Sequence, residues 1–362
     1  MGRHGITLRD VAAAAGVSPM TASNALHGKP GVRPATRQRV LDVAGRLGYR
    51  INLTASTLKS GRSNIIHIII NEFDAPYYAK LAQALSEETV ARGFTPFIEQ
   101  TGYSSTAAER ALTDSPLSGQ LFDGEILNAN VLGTTRPLTQ LSDGRPFVMV
   151  NACGQAPDVD SVELPNEEGA RAAVRHLIER NCRTIALVGA PYAPRSAMTD
   201  PHSAFGLRLR GASGALLDAG MEYSPALTFA AGDRDDDIRA GHDIARRILN
   251  ARDGGGDAID GICCSSDYAA LNVIRGLADR GLRVPDDVLV IGFDGITDGE
   301  YTTPSLSTIA IDFDQLAGYT LDMLTASIER RHDPAARARR PATSATIGYR
   351  LIARESTTIA RP

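Results

Sequence analysis

At 362 residues, with 43 % hydrophobic and 22 % charged side chains, the chain has room for two or three domains and the composition of a globular protein. No run of about 18 apolar residues occurs and no apolar leader follows Met1, which argues against a membrane span and points to a cytoplasmic address. The net charge of −4 hides an asymmetry: residues 1–64 carry ten Lys/Arg against Asp10 and Asp42, a balance of +8, leaving −12 for the rest, so a polyanionic partner is expected for the head alone.

The head opens with Thr7-Leu-Arg-Asp10, a hydroxyl at an N-cap with an acid three residues later. Leu8, Val11, Ala12 and Ala15 then recur at helical spacing, and Gly16-Val17 ends the helix, because glycine tolerates the left-handed conformation required there. Ser18 is placed to cap a second helix with Pro19 at its first position, where a missing N–H costs nothing. Two short helices across so tight a turn form the unit that lays its second helix in a major groove. A third helix over 34–47, apolar at Val40, Val43, Ala44 and Leu47, closes a small core.

Beyond residue 63 the pattern changes to alternating strands and helices. Strands are expected at 65–70, 95–99, 124–127, 147–151, 184–189, 259–264 and 288–292. Helices are expected at 77–92, 167–180, 205–219, 236–249 and 268–280. Such alternation indicates parallel sheets covered by helices, with ligands bound beyond the carboxyl ends of the strands. Cys153, Cys182, Cys263 and Cys264 lack zinc-site spacing and read as reduced core residues. Asp233, Asp235 and Asp237 have the spacing that opens a calcium loop, but Ile238 and Ile244 stand where glycine and glutamate are needed, so they read as a solvated helix start. No nucleophile elbow, phosphate loop or zinc-protease pattern is found, and neither an enzyme nor a cofactor is expected.

The run from Thr7 through Val32-Arg33, continuing in Thr36-Arg-Gln-Arg-Val40 and Leu47-Gly-Tyr-Arg-Ile-Asn52, closely resembles the headpiece of the lactose-repressor (LacI/GalR) family. Body phrases resemble the same family: Asp74-Ala-Pro-Tyr-Tyr78, Asn166-Glu-Glu-Gly169, Arg208-Leu-Arg-Gly211, Val290-Ile-Gly-Phe-Asp294 and Leu351-Ile-Ala-Arg-Glu-Ser-Thr357. The resemblance implies an all-α helix-turn-helix headpiece joined to an α/β effector domain of two lobes, of periplasmic-binding-protein type with parallel sheets. Implied boundaries are 1–50 for the headpiece and 51–63 for a hinge helix. The first lobe takes 64–165 and 312–340, and the second 166–311 and 341–362.

Carried over by position, Pro19 and Met20 open the recognition helix, Thr21 and Ser23 contact phosphates or neighbouring bases, and Thr7, Ser18 and His27 join the DNA face. Asn24 stands where the family usually has arginine, which favours an adenine edge over a guanine edge. Asn52, Ala55 and Leu58 belong to the implied hinge helix, with Leu58 as a minor-groove wedge. Ile51 replaces the usual proline before it. For the effector, the resemblance nominates Arg208 as donor, Asp267 and Asp294 as acceptors, Tyr77 and Tyr78 as an aromatic wall, and Asn151 as a polar contact. The implied protein is a sequence-specific transcription regulator, with repression the favoured sign. It acts as a homodimer on double-stranded operator DNA, and a small molecule such as a sugar or related metabolite bound between the lobes modulates it. The body alone would also suit a solute-binding protein, a reading that the headpiece weighs against.

Overall fold

The computed structural model describes residues 6–26, 28, 30–49, 62–113, 121–128, 138–154, 158–198, 203–231, 234–254, 258–332 and 341–358. The chain divides into two compact units at Ser63/Asn64.

In the first unit, helix α1 (Leu8–Ala14) begins with the reciprocal cap written in its sequence. The Thr7 backbone N–H donates to Asp10 Oδ2 at 2.8 Å, and the Asp10 N–H donates back to Thr7 Oγ1 at 3.4 Å. Donation from the Thr7 backbone N–H, and then from the Thr7 hydroxyl at 2.7 Å, holds the Asp10 carboxyl below its usual range. Gly16 turns the chain at φ +63°, and Ser18 caps α2 (Pro19–Leu26) by accepting from the Thr21 N–H at 3.1 Å. Helix α3 (Pro34–Leu47) ends at Gly48, φ +65°, where the Tyr49 N–H returns to the Ala44 carbonyl. The core consists of small side chains, Val11, Ala12, Ala15, Ala22, Ala25, Val40, Val43 and Ala44, so three short helices can approach closely.

The second unit contains two six-stranded sheets. The first sheet is built from β1 (Ile65–Ile70), β2 (Thr95–Gln100), β3 (Gly124–Leu127), β4 (Phe147–Val150), β5 (Asp160–Glu163) and a late strand Ser344–Thr346, in the order late strand-β5-β4-β3-β1-β2 and parallel throughout. Helices α4 (Pro76–Ala91), α5 (Ser105–Thr113) and α6 (Leu138–Leu141) belong to this lobe. Four isoleucines of β1, Ile66, Ile68, Ile69 and Ile70, are fully buried, each worth about 1.5–3 kcal/mol of hydrophobic burial. His67 interrupts that apolar run: its Nε2 lies 3.0 Å from Glu99 Oε2, and its ring stacks on Phe122 at 4.4 Å.

After β5 the chain enters the second lobe with α7 (Asn166–Glu179), β6 (Ile185–Gly189), α8 (Ala204–Asp218), β7 (Thr228–Ala230), α9 (Arg234–Gly254), β8 (Gly261–Cys264), α10 (Asp267–Ala278), β9 (Leu289–Asp294), α11 (Asp298–Tyr301) and β10 (Ser307–Ile311). Helix α12 (Phe313–His332) then returns to pack on α4 and the first sheet. Strand β11 (Ser344–Thr346) completes that sheet, and β12 (Tyr349–Ile352) pairs antiparallel with β10 in the second, whose order is β12-β10-β9-β8-β6-β7. The third crossing therefore falls between Thr346 and Tyr349. A boundary at 340 had been expected, but the parallel ladder of β11 with β5 keeps residues 344–346 in the first lobe.

Strands β5, β7, β10, β11 and β12 and helices α5, α6, α11 and α12 lie outside the elements expected from periodicity. In β10 the reason is visible. Ser307 and Thr308 are polar and give no apolar strand pattern, yet both are fully buried, and the Ser307 hydroxyl bonds the Arg354 carbonyl at 3.1 Å and Thr357 Oγ1 at 2.7 Å. The partners come from the turn Glu355–Thr357 and its N-cap residue Arg354, about 50 residues away in sequence.

Candidate functional site

The second helix of the head presents two faces. Ala22 and Ala25 point into the core, whereas Ser18, Pro19 and Met20 are exposed, Met20 to 74 %, and Thr21, Ser23 and Asn24 are half-buried. Ser18 and Thr21 are joined through their hydroxyls at 2.9 Å, so both serve the helix start. Thr7 is exposed at the start of α1, where its side chain is engaged by Asp10. His27, Asn52, Ala55 and Leu58 lie outside the described residues.

In the second unit a cavity of about 360 Å³ opens where the carboxyl ends of strands from both sheets face each other. That size falls in the range of small-molecule sites. Each wall follows from a strand ending. The segment after β1 contributes Glu72, Asp74, Tyr77 and Tyr78; Asn151 follows β4 at φ +57°; Ser265 follows β8; and Asp294 ends β9 at φ +116°. Arg208, in the second turn of α8, projects from a helix whose cap, Ser203 Oγ, accepts from the Gly206 N–H at 3.0 Å.

Arg208 is buried, and its Nε and Nη1 are engaged. Nε donates to Asn166 Oδ1 at 2.9 Å, Nη1 donates to the Ser265 carbonyl at 2.5 Å, and the guanidinium lies 3.8 Å above the Phe293 ring. Asp294 Oδ1 stands 3.1 Å from Nη1. Burial nonetheless pushes the Asp294 carboxyl up to about 7, because the nearby guanidinium offsets only part of the cost of desolvating a carboxylate. Asn166 links this cluster to the other lobe, donating from Nδ2 to Asn151 Oδ1 at 2.8 Å.

Of the six residues nominated for the effector, Tyr77, Tyr78, Asn151, Arg208 and Asp294 line the cavity. Asp267 does not. It is fully buried at the start of α10, and its Oδ2 accepts from the Gly295 N–H at 2.7 Å and the Ile296 N–H at 2.8 Å. Gly292 makes this possible, since a Cβ there would lie 2.2 Å from Asp267 Oδ1. Asp267 thus shapes the loop after Asp294 from behind the wall, and burial raises its carboxyl to about 6.

The aromatic wall is broader than two tyrosines. Tyr78 accepts from Asn71 Nδ2 at 2.8 Å and meets Tyr77 edge-on at 5.0 Å and Tyr103 at 5.9 Å. Tyr103, at φ +60°, donates to Glu72 Oε1 at 2.5 Å, and burial lifts its phenol far above the usual range. From the opposite lobe, Phe205 and Tyr268 line the cavity, each 39 % exposed. The Tyr77 hydroxyl is buried and makes no hydrogen bond with the described residues. Asp237, read from sequence as a solvated helix start, is 3 % exposed and lines the same cavity. Position i, i+3 and i+4 spacing on α8 and α10 could have signalled Phe205 and Tyr268; nothing local could have signalled Asn166 or Asp237.

Residues 7–52 match the model of bacterial regulatory proteins of the lacI family, and residues 174–357 match a periplasmic binding protein-like domain. The HTH-type transcriptional regulator CelR of Thermobifida fusca is 34 % identical over 314 residues, which is 84 % of this chain and 86 % of that protein. Catabolite control protein A of Priestia megaterium is 27 % identical over 322 residues, covering 88 % of this chain and 92 % of its own length. Among solved structures, the transcriptional regulator CelR–cellobiose complex superposes with a TM-score of 0.65 at 28 % identity over 97 % of this chain and 99 % of that one. The lac repressor dimer bound to operator and an anti-inducer shares the fold, with a TM-score of 0.74 at 22 % identity, over 97 % of this chain and 99 % of that chain. With a headpiece of lacI type, a periplasmic-binding-protein-like body and a relative of this identity along most of its length, the chain belongs to the LacI family of DNA-binding transcription regulators.

Proposed function

We propose that this regulator acts as a cytoplasmic homodimer on operator DNA and that its effector is an uncharged, polyhydroxylated molecule, a short saccharide, held in the cavity between the lobes. The observation that carries this reading is the chemistry of the cavity wall. Aromatic rings from both lobes, Tyr77, Tyr78 and Tyr103 opposite Phe205 and Tyr268, offer flat apolar surface to the C–H faces of sugar rings. Glu72, Asp74, Asp237 and Asp294 supply acceptors for hydroxyl groups, and the charge of Arg208 is directed at Asp294 and the Ser265 carbonyl. A phosphorylated or carboxylated effector would meet Glu72, Asp74 and Asp237 beside an Arg208 paired with Asp294, an unfavourable field for an anion. The CelR–cellobiose complex supports a saccharide by kinship.

On the DNA side, Pro19, Met20, Ser23 and Asn24 form the reading surface, Thr7, Ser18 and Thr21 contact the backbone, and Asn52, Ala55 and Leu58 serve the hinge. Thermal-shift titration of the full-length protein with cellobiose, maltose, glucose, glucose 6-phosphate and adenine tests the effector class. A neutral saccharide should raise the melting temperature and alter retardation of operator DNA. Stabilisation by glucose 6-phosphate or adenine, with no response to any neutral sugar, would overturn the assignment.

A further inference from the structure

A hydrogen bond away from the covalent crossovers reaches between the lobes. Lys80 lies on α4 of the first lobe, one turn beyond Tyr77, and its Nζ donates to the Gly295 carbonyl in the second lobe at 2.8 Å. Its position is not that of a wandering surface lysine. The ammonium sits 5.3 Å from the centre of the Phe313 ring, and Phe313 is itself buried and packed against Tyr77. The acceptor is equally constrained. Gly295 adopts φ +74°, a Cβ there would come within 2.7 Å of Ala310, and its N–H is held by Asp267. The carbonyl therefore moves with the second lobe as a body, and it belongs to the residue directly after Asp294 in the cavity wall.

We propose that Lys80 is a positioning residue, an interlobe latch that ties α4 to the loop after Asp294 and so holds the lobes in the arrangement that the cavity reports. The inference rests on the cavity being the effector site only for its consequence: a ligand that shifts Asp294 or Tyr77 alters both ends of the latch together. The latch itself is testable without any ligand. A bond made in one lobe arrangement and not in another biases the population by its own free energy.

The test places spin labels on full-length protein at R110C in α5 and R246C in α9, both exposed positions, while the four native cysteines are buried. Interlobe distances are then measured by pulsed electron resonance in the parent, K80M, K80Q and K80R. K80M keeps the aliphatic packing over Phe313, and K80R keeps a donor. In K80M and K80Q the population at distances outside the parent peak should grow roughly fivefold, a modest value for one hydrogen bond to a charged group at a half-buried site. K80R should remain near the parent. A parent-like distribution in K80M and K80Q would overturn the latch, as would equal broadening in K80R, which would assign the effect to packing. Failure of the sugar titration above, with the distance result intact, would overturn the saccharide reading and leave the latch standing.

Discussion

Asp294 ends β9 and Asp267, 27 residues earlier, opens α10, and both carboxyls titrate above the ordinary carboxylate value of 3.8, to about 7 and about 6. A folded pKa raised above the unfolded one means that the folded chain binds protons that the unfolded chain has released. The corresponding stability is full below about pH 4 and is lost as pH rises through 6 and 7. D294N removes one of these titrations, so the decline in unfolding free energy between pH 5 and pH 8, measured in urea, should be smaller than in the parent. An unchanged slope would mean that Asp294 is ionised throughout. D267A removes the acceptor of two loop N–H groups and should cost about 1–3 kcal/mol by the same assay, leaving the Ile296 N–H unpaired and the Gly295 N–H with only Thr308 Oγ1 at 3.3 Å. In the head, N24R should change the preferred operator bases more than overall affinity, because an amide and a guanidinium present different donor patterns, worth about 1–3 kcal/mol of discrimination. Selection from a randomised operator pool, compared with the parent, checks it; identical consensus sequences would remove Asn24 from the reading surface.

Between elements, the second lobe depends on helices brought together through glycine. A Cβ on Gly211 of α8 would fall 2.0 Å from the Glu167 carbonyl oxygen of α7, and one on Gly276 of α10 would fall 2.3 Å from the Ile238 carbonyl oxygen of α9. Both clashes are with backbone, which cannot rotate away. G211A should therefore destabilise the protein by about 2–3 kcal/mol in urea denaturation. It should also weaken saccharide response, since α7 and α8 carry Asn166 and Arg208, whose 2.9 Å bond requires the close approach. A fully stable G211A protein would show that the helices can separate without loss. Periodicity found α7 and α10 nearly whole because each has a strong apolar stripe. It passed over β5, β7 and β11, which are three or four residues long and mixed in polarity, too short for a period of two to register.

For the molecule as a whole, charge segregation sets the expectation. The +8 head should release several counterions on DNA, so operator affinity should fall by orders of magnitude between low and physiological salt. A truncated protein starting at Ser63 should keep its saccharide-induced thermal shift and lose DNA binding; retardation of operator by the truncated form would locate the interface elsewhere. Much of this protein was determined by sequence alone: the capping box of α1, the Gly16 and Gly48 turns, the headpiece core and the alternation of strands and helices all depend on residues within one or two turns of each other. So were Arg208, Asp294, Tyr77, Tyr78 and Asn151 as residues of one cavity, through their motifs. The tertiary structure decided what those motifs could not. It moved Asp267 behind the wall, because two N–H groups from a loop 28 residues away claim its carboxylate. It joined Asn166 to both Asn151 and Arg208, turned Asp237 inward and brought Lys80 to a carbonyl 215 residues distant. Local sequence constrains backbone dihedrals and the face a side chain occupies; which distant group satisfies a buried polar atom is settled only when the two lobes have packed.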